Sequence, residues 1–299
     1  MSNKSSSEII KKLVEKSKKA QSIFENFDQN QVDEVVTAVA WALCKPSNNN
    51  KISNLAVDQT GLGNPGDKIL KNRRKTLGLL RDLKNIKTVG IINKDKEKGI
   101  VEIAKPVGVV AAVTPSTNPA ATPVNNIINA LKTRNSIIVS PSPAGSKVFI
   151  DLLVLINIEL KKIGAPKDLI QTFDCDVTKE LTNELMKNVD LVIVTGSLNN
   201  VKEAAKSGTK AIGVGQGNVT SIVDETADLE EACKKIKISK IFDNATSCSS
   251  ENNLILIEDI YEKTIDLLSK KNAVLLNRNQ KEVLQKNLWL NGKLNRKII

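Results

Sequence analysis

Cys248 is the residue whose type and surroundings most favour chemistry. It stands in S-K-I-F-D-N-A-T-S-C-S-S-E (239–251), where Asn244 to Ser250 offers nothing apolar larger than alanine. A thiol in a polar, glycine-free loop close to strand ends is a candidate nucleophile. The other three of the four cysteines, Cys44, Cys175 and Cys233, read as small buried hydrophobes. The chain has no histidine, so neither a Cys-His dyad nor a His-bearing zinc site can form within it. There is no C-x-x-C pair, and no metal site is expected.

Three other stretches carry groups suited to a ligand. Thr114-Pro115-Ser116-Thr117-Asn118-Pro119 offers hydroxyls, an amide and an open helix N-terminus, which favours partial negative charge. Ser140-Pro141-Ser142-Pro143 is suited to the ribose or phosphate side of a nucleotide, and Thr195-Gly196-Ser197 is a glycine-bearing turn into a helix. No G-x-G-x-x-G follows an early strand, so the usual dinucleotide fingerprint is missing. Gly213-Val214-Gly215-Gln216-Gly217-Asn218 has glycines at alternate positions, which lets backbone pass close to another group.

These stretches need elements to position them. Apolar spacing predicts helices over 7–24, 31–44 and 67–83, with Pro46 and Asn48 to Asn50 breaking the second. The segments 89–93 and 100–105 flank a charged turn and read as a β-hairpin. The period then changes. Val107 to Val113 is a continuous apolar run, as expected of a strand buried on both faces. Strands at 136–140, 169–173, 190–194 and 209–214 alternate with helical stretches. Five strands in that alternation predict an α/β fold with a parallel, right-handed, Rossmann-like sheet. Ligands bind beyond the carboxyl ends of such strands, where the Thr114, Ser140 and Thr195 loops fall. After Gly217 come a strand (219–223), a helix (228–241), a second strand (254–257) and another helix (259–270). A domain boundary is expected near Lys240, giving N-terminal helices and a dinucleotide-binding domain (1–240) and the beginning of a catalytic domain (241–299).

Composition narrows the function classes. The net charge is +11, yet only six of the 44 basic residues are arginine and the lysines are spread along the chain. That is a solvated surface and not a nucleic-acid interface. The longest uncharged apolar run is far too short to span a bilayer, and Met1 to Lys19 has no apolar segment of the signal type. A cytoplasmic protein is expected, with no membrane or nucleic-acid partner.

The chain resembles the aldehyde dehydrogenase superfamily, specifically its CoA-acylating branch. The resemblance rests on K-P-V-G-V-V-A-A-V-T-P-S-T-N-P (105–119), I-I-V-S-P-S-P (137–143), V-T-G-S (194–197), G-V-G-Q-G-N (213–218) and K-I-F-D-N-A-T-S-C-S-S-E (240–251), in order and at matching spacing. T-G-L-G-N-P-G-D-K-I-L-K-N-R-R-K-T-L-G-L-L-R-D-L (60–83) is most similar to the acylating sulfoacetaldehyde dehydrogenases. The resemblance implies Cys248 as nucleophile and Asn118 as oxyanion donor. It implies Thr114, Pro115, Ser140, Ser142, Thr195, Gly196, Ser197 and Gly213 around an NAD or NADP cofactor, with coenzyme A as co-substrate. Gly213 stands where hydrolytic relatives carry a glutamate base, and Ser140 where they carry a lysine. An enzyme of this kind interconverts an aldehyde and its acyl-CoA through a cysteine thioester. The favoured pair is sulfoacetaldehyde and sulfoacetyl-CoA, with acetaldehyde or succinate semialdehyde as alternatives. Family members continue well beyond residue 299, so the resemblance also implies a C-terminally truncated chain. Its full-length form would be a homo-oligomer, and the piece itself a catalytically incomplete nucleotide-binding fragment in the competing reading.

Overall fold

The computed structural model describes residues 5–215 and 217–295. The described residues form two compact units, one of residues 5–60 and 68–215, the other of residues 61–67 and 217–295.

The first unit opens with four helices. These are α1 (Ser6–Phe24), α2 (Gln29–Cys44), α3 (Pro46–Thr60) and α4 (Pro65–Leu83), whose first three residues group with the second unit. Ser5 and Asp28 close capping boxes with Glu8 and Gln31 at the starts of α1 and α2, satisfying amides that the first turn leaves open. Helix α2 ends at Cys44, as expected, but the asparagines after Pro46 do not form a loop: a new helix, α3, starts there. Pro46 is its first residue, where a fixed φ and a missing N–H cost nothing. The asparagines continue the helix because they have partners. Buried Asn49 donates to Ile69 O (3.0 Å) and accepts from Asn72 Nδ2 (2.9 Å) and from Ser53 Oγ (3.2 Å).

The antiparallel hairpin β1 (Gly90–Asp95) and β2 (Ile100–Ala104) follows. The chain then enters the alternation β3 (Val109–Thr114), α5 (Ala121–Lys132), β4 (Ser136–Pro141), α6 (Ser146–Lys162), β5 (Ile170–Gln171), α7 (Lys179–Lys187), β6 (Leu191–Thr195), α8 (Leu198–Lys206) and β7 (Ala211–Val214). The strands form one sheet in the order β5-β4-β3-β6-β7, and every pairing is parallel. This is the expected α/β architecture.

Each strand residue serves one face in turn. Val110, Ala112, Ile137 and Val139 pack with Phe24, Leu43, Ile127, Phe149 and Ile156 of the helices on one side. Val109, Ala111, Val113, Ile138, Val192 and Val194 pack with Ile10, Val14, Leu181 and Leu185 on the other. Every residue of β3 and β4 is buried, which is why their sequences are runs and not alternations. Lys132, at the end of α5, is also buried, and its ammonium donates to Asp33 of α2.

The second unit contains β8 (Val219–Val223), α9 (Leu229–Ile241), β9 (Glu251–Leu256), α10 (Glu258–Lys270), α11 (Arg278–Leu288) and a short hairpin of β10 (Trp289–Leu290) and β11 (Lys293–Leu294). Strands β8 and β9 pair in parallel, and Val223, Leu229, Cys233, Ile260 and Leu267 form the core. The expected boundary near Lys240 falls inside this unit, because β8 and α9 pack with β9 and α10.

Gly108 leads into β3 at φ +124°, and a Cβ there would stand 2.3 Å from Oδ2 of Asp190, which accepts the Val109 N–H (2.7 Å). Gly108→Ala is therefore expected to cost about 2–4 kcal/mol through strain and a displaced carboxylate. Chemical denaturation of both proteins measures it, and an unchanged midpoint would contradict the packing described.

Candidate active site

The sheet order reverses at β3. The chain steps from β3 outward to β4 and β5, then returns to lay β6 on the other side of β3. A crevice opens at such a switch point, beyond the carboxyl ends of the two strands. A cavity of about 540 Å³ lies there, lined by Thr114, Pro115 and Ser116 after β3, Ser140, Pro141, Ser142 and Pro143 after β4, and Thr195, Gly196 and Ser197 after β6. Of the positions expected around the cofactor, the cavity gathers Thr114, Pro115, Ser140, Ser142, Thr195, Gly196 and Ser197. Gly213 does not line it.

The far wall comes from Thr178, Lys179, Thr182 and Asn183 at the start of α7, and from Asn199, Asn200 and Glu203 of α8. These residues carried no local motif. Capping residues at 178 and 197 were the available signal, since both helices begin at the cavity with their open amides. Thr178 accepts from Leu181 N (3.1 Å) and Ser197 from Asn200 N (3.3 Å). Ser140 is fully buried and shares a hydrogen bond with Thr182 (2.9 Å), which ties β4 to α7. Gly196 adopts φ +146° and donates its N–H to Val214 O (3.2 Å), a conformation that favours glycine.

Two hydroxyls of the lining, Thr114 Oγ1 and Ser142 Oγ, are buried with no hydrogen-bond partner among the described residues. The same is true of Nδ2 of Asn118, a residue 8% exposed. Buried polar groups without partners are costly; six further atoms, Thr76 Oγ1 and Ser136 Oγ among them, share this state, so it is the place of the Thr114 and Ser142 hydroxyls in the cavity lining that makes them available to a ligand. Asn118 sits next to Thr117, whose carbonyl accepts from the buried ammonium of Lys68 (3.5 Å). Arg73 and Arg74, lower on the same helix, are exposed.

In the second unit, Cys248 is exposed in the turn between α9 and β9. Its carbonyl would lie 3.2 Å from a Cβ on Gly217, so the group that passes close to that glycine is the backbone of the cysteine itself. Cys175, read as buried, is exposed. Asp174 and Asp176 flank it in the irregular chain between β5 and α7. Partial desolvation and these two carboxylates push its thiol up from the ordinary value. Its alkylation is expected to be slow at neutral pH and to keep rising above the normal thiol range, followed by peptide mapping at stepped pH. A plateau near the ordinary thiol value would contradict this.

Comparison with known proteins agrees with the geometry. The aldehyde dehydrogenase family profile matches residues 2–282. The chain belongs to the aldehyde dehydrogenase family. It is 50% identical over 287 residues to the acylating sulfoacetaldehyde dehydrogenase of Cupriavidus necator, covering 96% of this chain and 58% of that protein. It is 40% identical to the acetylating succinate-semialdehyde dehydrogenase of Clostridium kluyveri, covering 97% of this chain and 64% of that one. Among solved structures, the acetylating aldehyde dehydrogenase of Geobacillus thermoglucosidasius superposes with a TM-score of 0.92 at 38% identity, over 98% of this chain and 65% of that chain. The Rhodopseudomonas palustris propionaldehyde dehydrogenase with bound propionyl-CoA gives 0.86 at 30% identity, over 97% and 64%. The chain thus spans 58% to 64% of the length of these curated relatives.

Within the family, Gly213 is informative by what stands against it. A Cβ there would lie 2.7 Å from Cγ1 of Val201 in α8, so the space a longer side chain needs is filled. Gly213→Ala is expected to cost about 1–3 kcal/mol, most of it recovered in a Val201→Ala background. Denaturant midpoints of the single and double variants check the coupling, and additivity of the two changes would contradict it.

Proposed function

We propose that this chain is the nucleotide-binding and nucleophile-bearing part of an acylating aldehyde dehydrogenase. In that reading the first unit is the dinucleotide-binding part and the second begins the catalytic part. The observation that carries the reading is the cavity at the ends of β3, β4 and β6, lined by Thr114, Pro115, Ser140, Ser142, Thr195, Gly196 and Ser197. Asn118 Nδ2, a buried amide donor with no partner among the described residues, lies on the loop after β3. A donor held in this way suits an oxyanion that exists only during reaction.

The cavity fits an NAD or NADP dinucleotide. Thr114 and Ser142 bring unpartnered hydroxyls, and Ser197 and Thr178 mark helix starts that favour phosphate. When bound, such a cofactor supplies the hydride acceptor or donor. The chain's own residues do the rest. The Cys248 thiolate adds to the aldehyde carbon, forming a C–S bond, and the former carbonyl oxygen becomes an oxyanion; the role that the family resemblance gives Asn118 is to donate to it. Loss of hydride leaves an acyl group on the Cys248 sulfur. The coenzyme A thiolate then attacks the acyl carbon, its own C–S bond forms, and Cys248 leaves as thiolate. Water would need a base for the same step. At 213 there is a glycine with Val201 packed against it, while a thiolate needs no such help.

The sulfoacetaldehyde and sulfoacetyl-CoA pair is the favoured substrate, supported by the identity to the Cupriavidus protein. A homo-oligomer is part of the proposal, supported by the exposed Ile91, Ile92, Ile100, Val101 and Ile103 of the β1–β2 hairpin. Four free cysteines suit a reducing compartment such as the cytoplasm, and among the described residues no helix is long and apolar enough to cross a membrane.

Dinucleotide reduction with sulfoacetaldehyde tests this, with and without coenzyme A. Turnover is expected only with coenzyme A. Cys248→Ser is expected to abolish it, and Asn118→Ala to lower kcat about 100-fold or more. Equal rates without coenzyme A would overturn the acylating reading, and equal rates with acetaldehyde the choice of substrate. Dinucleotide binding without turnover would leave a nucleotide-binding unit alone.

A further inference from the structure

The nucleophile loop has a second partner far away in sequence. Asp243, Asn244 and Ala245 take φ of 53°, 52° and 58° in succession. One such residue is tolerated where Asn or Asp stands, but three in a row, one of them alanine, are strained. Such a conformation persists only where neighbours over-determine it. Those neighbours come from residues 61–67. Asp67 Oδ2 accepts the N–H of Asp243 (2.8 Å), 176 residues away in sequence. The N–H of Asn64 donates to Asp243 Oδ1 (3.2 Å), and Asn244 Nδ2 donates to Gly63 O (3.4 Å). Asn64 Nδ2 donates to the same Asp67 oxygen (2.6 Å), holding that carboxylate in place. Downstream, Thr246 Oγ1 donates to Asp243 O (2.7 Å) and Oδ2 (3.0 Å). Asp243 is fully buried, while Cys248, five residues on, is exposed.

We propose that Asp67 and Asn64 are positioning residues for the nucleophile loop, fixing the backbone of Asp243 and Asn244 and so the place at which Cys248 is presented. The proposal rests on the reading of Cys248 as nucleophile. A simpler role exists for part of the set. Asn64 Oδ1 accepts from Asp67 N (2.9 Å) at the start of α4, an ordinary helix cap. A cap has no use for the Asp243 N–H, and the Asp67 carboxylate takes both donors on one oxygen. Asparagine at 67 keeps an acceptor oxygen at that place, whereas alanine and serine do not.

The test uses the 299-residue chain as wild type, Asp67→Ala and Asp67→Asn. Amide hydrogen exchange is read over residues 242–250. Acyl transfer from sulfoacetyl-CoA to Cys248 is read by peptide mass, with Cys175 alkylation as a control on the first unit. In Asp67→Ala, exchange over 242–250 is expected to rise about tenfold and Cys248 acylation to fall about tenfold, from the loss of a charge-assisted backbone bond. Cys175 alkylation should not change, and Asp67→Asn is expected to stay near wild type. If Asp67→Ala does not fold, Asp67→Ser, which keeps a residue suited to the first helical turn, takes its place. Wild-type exchange and acylation in the alanine or serine variant would overturn the proposal. A wild type that takes no acyl group, while loop exchange still rises in the variant, would overturn the catalytic reading and leave the clamp standing.

Discussion

A parallel sheet covered on both faces has no free surface except at its strand ends. That constraint organises the first unit. Strand β3 is buried throughout and is flanked by β4 and β6, both parallel to it. The chain leaves β3 in one direction and returns on the other side, and a cavity remains between the loops at the carboxyl edge. The positions of Thr114, Ser140 and Thr195 follow from being the last residues, or next to the last, of three adjacent strands. Their chemistry is polar and small, which leaves room for a ligand and supplies donors and acceptors to it.

The second unit solves a different problem. In the proposed reading it displays a thiol, and display requires a loop, which on its own is mobile. The chain meets this by anchoring one end of the loop deeply. Asp243 is fully buried and bonded to residues 61–67, and Cys248 carries its carbonyl close to Gly217. Glycine at 217 allows that approach, and the glycines at 213 and 215 are packed against Val201 and Leu198 instead. The same G-V-G-Q-G run therefore does separate things in the two units, something its regular spacing does not reveal.

The buried strands were legible in the sequence because burial on both faces leaves a run of valine, isoleucine and alanine that nothing else in the chain imitates. So were the three loops at their ends, since strand order places them. Helix α3 was not legible. Pro46 and three asparagines mark the end of α2 correctly, but that they also begin a helix depends on partners distant in sequence, such as the buried bonds of Asn49 to Ile69 and Asn72. The α7 side of the cavity was missed because Thr178 and Thr182 look like ordinary helix residues until Ser140 is seen to bond one of them. Cys175 was misread because its exposure depends on where an irregular segment runs, and the two neighbouring aspartates were its only local sign. The Asp67 clamp lies beyond any local pattern, since its partners are 176 residues apart.

The central claim is that Cys248 carries an acyl group that leaves on a thiol and not on water. Its most direct test is the mass of the Cys248 peptide after exposure to sulfoacetyl-CoA. The account predicts a hydroxylamine-sensitive sulfoacetyl adduct on Cys248 alone, which persists in buffer and disappears when coenzyme A is added. An adduct on Cys175, no adduct at all, or loss to buffer as fast as to coenzyme A would contradict it.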